Sequence, residues 1–133
     1  MSNLNFPRWP TQLCFFAAAA LHTAVFLSSI SIFVLLLSAI NLVPFGACLA
    51  ASRSQGFRLP AFLGSGAALG IDIFMNYQVL VAATATTSPI PLLFGPGINF
   101  LFGVIPGAIT GLLFVLLWNV LIPSREPKNP LNK

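Results

Sequence analysis

Asp72 is the only acidic residue inside any long apolar stretch of the chain; the other acid, Glu126, belongs to a charged tail. A carboxylate at the middle of a bilayer costs several kcal/mol unless it is protonated, paired or facing water. Asn76 follows one helical step later, at i+4. A helix through this region therefore stacks the amide over the carboxyl, with Ser65, Ala68, Leu69 and Val79 on the same face. His22, the one histidine, lies deep in a second apolar run. If the spans that carry them run in the same direction, His22 and Asp72 sit at similar depth. A carboxyl, an amide and an imidazole can share a proton or hold a small cation; they can equally tie helices together. Asp72, Asn76 and His22 are the candidate intramembrane polar site.

Other chemistries find no support. Cys14 and Cys48 are 34 residues apart, with no CxxC and no histidine cluster, so neither a disulfide framework nor a metal site is expected. One histidine cannot ligate haem from both sides, and no cofactor is expected. GxSxG, Walker and HExxH patterns are missing, as is any acidic pair, so the chain does not read as an enzyme. Six cations are scattered over three segments and form no basic stripe for nucleic acid.

The second kind of informative residue is glycine. Gly103, Gly107 and Gly111 recur every four positions, which puts them on one helix face. Gly66 and Gly70 repeat the spacing in the preceding apolar stretch. Small residues at this interval let two backbones approach closely, and association in lipid relies on such packing. Both sets are expected to be helix-contact faces. With Gly66 and Gly70 turned away from Asp72, that span would pack on one side and present polar groups on the other.

The elements that must position these residues are helices in lipid. The composition is 57% hydrophobic and 6% charged, with a mean hydropathy of +0.94, against about 25% charged in a soluble domain. No charge interrupts Arg8 to Arg53 or Asp72 to Arg125, and a membrane span needs about 20 apolar residues. Leu13–Ala51 would extend about 58 Å as one helix, against a hydrocarbon core of about 30 Å. It is also far longer than the apolar region of a signal peptide.

The fold expected is therefore an all-α integral membrane protein, a single transmembrane domain over 1–133. Four transmembrane helices near 11–29, 32–51, 60–84 and 98–122 form the bundle. Pro44 should kink the second, and Pro106 should bend the last. The alternative is three spans, one of them running to about Ile40, plus a re-entrant or interfacial segment. A cytoplasmic loop covers 52–59. Residues 85–97, with Pro89, Pro91 and Pro96, should interrupt helix at the far face, and 124–133 should be a disordered tail. Trp9 and Trp118 read as interfacial anchors. Arginine placement puts both termini on the cytoplasmic side of what is expected to be the plasma (inner) membrane.

Beyond the lipid bilayer, the expected partners are other membrane protein subunits or further copies of the chain. The expected function is a small non-catalytic membrane protein, a subunit or assembly partner docking through its glycine faces. The alternative is a small homo-oligomeric transporter or channel that uses Asp72.

Overall fold

A computed structural model of the chain describes residues 5–28, 30–80 and 89–122. Every regular element among them is helical: α1 (Trp9–Ser28), α2 (Ile32–Asn41), α3 (Val43–Ala51), a 3-10 turn (Gln55–Phe57), α4 (Arg58–Leu80), α5 (Pro89–Ile98), a π-helical segment (Asn99–Val104) and α6 (Ile105–Leu121). Four stretches are long and apolar enough to cross a bilayer: Trp9–Ser28, Ile32–Ala51, Gln55–Tyr77 and Leu93–Leu121. The tail 124–133 and the end of the third expected span, 81–84, lie outside the described residues.

The first long apolar run divides at serines, with neither glycine nor proline at the break. Ser28 ends α1 by donating its hydroxyl to the Val25 carbonyl at 2.7 Å. Ser31 is extended at φ −148° and caps α2, its Oγ accepting the Phe33 N–H at 3.3 Å. The three-span alternative needs one helix through this point, and the chain does not make it. The break that does follow, at Leu42, has its cause in Pro44. Proline cannot return an N–H to Ile40, so the helix restarts as α3 with Pro44 in its first turn.

Of the expected interruption over 85–97, residues 85–88 lie outside the described residues and 89–97 require correction. Helix begins at Pro89 and continues through Pro91 and Pro96. First-turn prolines cost little because those N–H groups have no partner within the helix. Pro96 is interior, and three residues later the helix widens into its π segment, where Ile105 N–H reaches back five residues to Phe100 O. Pro106 then opens α6. The widened turn lies between two prolines, each of which removes one regular i→i−4 bond.

α4 is the hub. It packs against α1, α3, the π segment and α6, while α5 leans on α2. The apolar core is small: Ala18, Phe45 and Ala68, with Phe15, Leu42, Leu69 and Val104 around them. Among the described residues nine polar side chains are buried against eight hydrophobic ones. Large apolar side chains face outward instead, as with Ile32 at 82% exposed and Phe102 at 67%. This is the reverse of a soluble domain's distribution.

Candidate functional site

Four of the buried polar side chains converge on α4. His22 Nε2, from α1, lies 2.8 Å from Asp72 Oδ2, although neither atom meets the angular geometry of a hydrogen bond. The other carboxylate oxygen, Oδ1, accepts from Asn76 Nδ2 at 3.1 Å and from Asn99 Nδ2 at 3.3 Å. Asn76 Nδ2 also reaches the Asp72 carbonyl at 2.9 Å. All four residues are at most 2% exposed. The arrangement spans three elements, with α1 giving the imidazole, α4 the carboxyl and one amide, and the π segment the second amide.

Local sequence explains why these groups can meet. The last two apolar stretches pack antiparallel in steps of four residues. A Cβ added at Gly111 would fall 2.5 Å from Pro60 Cα, one at Gly107 would fall 2.5 Å from Leu63 O, and one at Gly103 would fall 2.6 Å from Ala68 Cα. Backbone therefore meets backbone at every step. The next step in the same direction sets Asn99 against Asp72, and an asparagine side chain is short enough to bridge only where the helices already lie this close. Gly103, Gly107 and Gly111 are thus a contact face within the chain. On α4 the facing residues are Pro60, Gly64 and Ala68.

Gly66 and Gly70 sit elsewhere. A Cβ at either would meet nothing within 4 Å among the described residues, so neither lines a contact between the helices described. Gly64, two residues earlier, takes that role, with Val104 O 3.0 Å from its hypothetical Cβ. The division of α4 into a packing side and a polar side needs the same correction. Gly64, Ala68 and Asp72 are successive i+4 positions, so one face both packs and carries the carboxyl. Sequence reasoning did not single out Asn99. The available signal was its place four residues before Gly103, in register with the glycines.

Parallel α1 and α4 bring His22 to Asp72. At their starts Arg58 Nη1 donates to Phe6 O at 3.3 Å, and the Phe6 and Phe62 rings stack with centroids 5.5 Å apart. From that end, each helix needs a similar length to reach its polar residue.

Chemically, the pair can hold one proton at either of two atoms 2.8 Å apart. With the proton on Nε2, imidazolium faces carboxylate; with it on Oδ2, a neutral acid faces a neutral ring. Both states carry no net charge, which makes either tolerable away from water. Three further atoms of this cluster have no hydrogen-bond partner among the described residues, namely His22 Nδ1, Asn76 Oδ1 and Asn99 Oδ1. Cys14 and Cys48 are free and buried, and no group of three or more His, Cys, Asp or Glu among the described residues could hold a metal ion. Comparison with protein-family models, curated proteins and solved structures found no match to this chain.

Proposed function

We propose that the chain is a multi-pass membrane protein that takes up and releases a proton at the Asp72–His22 pair, as the working centre of a small carrier. The membrane assignment draws on four apolar helices of spanning length and on the apolar exterior around a polar interior. Lipid solvates the outward Leu, Ile and Phe side chains, and the buried polar groups associate because hydrocarbon offers them nothing.

The observation that carries the proton reading is the 2.8 Å His22–Asp72 contact at the bundle centre. Intramembrane ionisable residues mark proton and ion paths far more often than surface ones do. The adjoining π segment adds to this, since such widened turns recur at functional sites. Other titratable side chains on the helices packed here are Cys14, Cys48, Tyr77 and, at the start of α4, Arg58. The nearest partners of the pair are the two amides, which carry no charge.

Docking as a subunit keeps one specific observation in its favour. Gly66 and Gly70 meet no other described residue, which leaves a small-residue stretch of α4 open to a second copy or another membrane protein.

The deciding experiment is proton flux into liposomes carrying the purified protein, driven by a pH gradient and membrane potential, with Asp72→Asn alongside. The asparagine keeps an Oδ1 to accept from Asn76 and Asn99, and its amide can donate to neutral His22 Nε2. The variant should therefore fold, and its flux should vanish. Equal flux in the two proteins, or none in the wild type, rejects the reading.

A further inference from the structure

Arg8 and Arg58 come together at the end of the bundle where α1 and α4 begin. Arg58 Nη1 donates to Phe6 O at 3.3 Å, and the chain from Phe6 to Arg8 spans at most about 7 Å. Both side chains are half-buried, and the enclosed, unpartnered nitrogen of each is Nε. Each stem therefore lies along the protein, and the outer Nη nitrogens, none of them enclosed without a partner, are the groups left to meet a ligand. No carboxylate answers these charges. Neither arginine forms an ion pair among the described residues. The one acid there, Asp72, lies about 21 Å along the α4 axis from Arg58 and faces His22.

We propose that this pair of arginines is a binding site for the phosphate of an anionic glycerophospholipid. A guanidinium presents parallel N–H donors that match phosphate oxygens. Two cations with no carboxylate between them favour a headgroup of net negative charge, because one that carries its own ammonium brings a third cation to the site. The surface beside the pair selects a lipid over a soluble anion. Along α1 from Arg8, Trp9 is 59% exposed, Leu13 57% and Phe16 66%, and their i, i+4, i+7 spacing sets them in one row. Cation, indole and then fully apolar side chains follow in the same order as phosphate, interface and acyl chains in a bilayer leaflet.

This site draws on the membrane assignment and is independent of proton exchange at Asp72. It is tested on the whole protein in a neutral detergent by native mass spectrometry, with phosphatidylglycerol and phosphatidylcholine of the same acyl chains. Phosphatidylglycerol should give one saturable adduct, about tenfold or more tighter than phosphatidylcholine, since each Lys or Arg near a membrane surface strengthens anionic-lipid binding about fivefold. Arg8→Gln removes a side chain that makes no hydrogen bond or ion pair among the described residues, and it should cut that preference about fivefold. Arg8→Gln together with Arg58→Gln should abolish nearly all of it. Arg125→Gln with Lys128→Gln lowers the net charge equally and should leave the preference in place. Inorganic phosphate at millimolar concentration has no chains to lay on Leu13 and Phe16, and should not displace the lipid. Equal binding of the two lipids would leave the membrane assignment standing and overturn the site. A tail double variant that loses as much as the arginine double variant would reduce the effect to net charge and overturn it too. Displacement by inorganic phosphate would overturn the lipid as occupant.

Discussion

Replacing His22 with alanine would leave Asp72 Oδ2 facing a void inside the bundle, without the imidazole that now lies 2.8 Å away. Removing one member of a buried charge pair costs about 3–5 kcal/mol when the other must stay charged. Asp72→Asn in the same chain removes that orphaned charge and keeps the amide contacts at Oδ1. The double variant should therefore be more stable than His22→Ala alone by about 2 kcal/mol or more, read by detergent-induced unfolding in mixed micelles. Equal stabilities would mean that Asp72 is neutral in the folded protein, with its proton on Oδ2. Asn99→Ala tests the third element of the cluster. It deletes one 3.3 Å donor, and hydrogen bonds between helices in membranes average about 0.6 kcal/mol. A loss of about 0.5–1.5 kcal/mol is expected by the same measurement, and a larger loss would give the π segment a role beyond this bond.

At the level of elements, the contact between α4 and the last span depends on glycine at three places. Gly107→Ala would put a Cβ 2.5 Å from a backbone carbonyl and 2.7 Å from Gly64 Cα. Backbone cannot step aside as a flexible side chain can, so the helices must part. A loss of about 1–3 kcal/mol is expected, with weaker Asn99–Asp72 coupling as a consequence, and Gly107→Leu should break the bundle. Gly66→Ala and Gly70→Ala meet nothing within 4 Å and should leave stability unchanged or slightly raised. Those two positions read differently if a partner docks on them, so Gly66→Leu separates the cases. It should lower the mass of the detergent-extracted complex where α4 is an interface, and leave it unaltered where α4 faces lipid.

Most of the helix plan could be read from sequence because apolar run length is a strong signal, whereas helix phase is a weak one. The Gly103 triplet was legible as a face. Its partner was not, because spacing alone cannot choose between Gly64 and Gly66 as the start of the opposing row. His22 and Asp72 share a depth that sequence reveals, but adjacency of α1 and α4 comes from packing over the whole molecule. The π segment was invisible for another reason. Prolines mark lost hydrogen bonds, and only the surrounding packing decides whether the chain answers with a loop or a widened turn.

For the whole molecule, the charges follow the packing. Arg58 reaches Phe6, just before Arg8, and the Arg53 loop leads directly into α4. Gly111 lies against Pro60, so the second half of α6 runs on past the start of α4. Two of the places where the chain carries cations next to its helices therefore gather at one end of the bundle, Arg8 before α1 and the Arg53–Arg58 segment before α4, while Arg125 and the lysines lie outside the described residues. The opposite end shows Ile30 and Ser31 at the α1–α2 turn, with no charge. An excess of Lys and Arg stays on the cytoplasmic face, and on that rule we propose an orientation with Arg53 inside and Ile30 outside. In a background carrying Cys14→Ala and Cys48→Ala, single cysteines at exposed positions report the sides directly. Ser54→Cys should react with an impermeant maleimide only after the membrane is opened, and Ile30→Cys should react in intact cells. Reaction of both from the same side would mean that Ile32–Ala51 does not cross the membrane, and the first long apolar run would then supply at most one crossing instead of two.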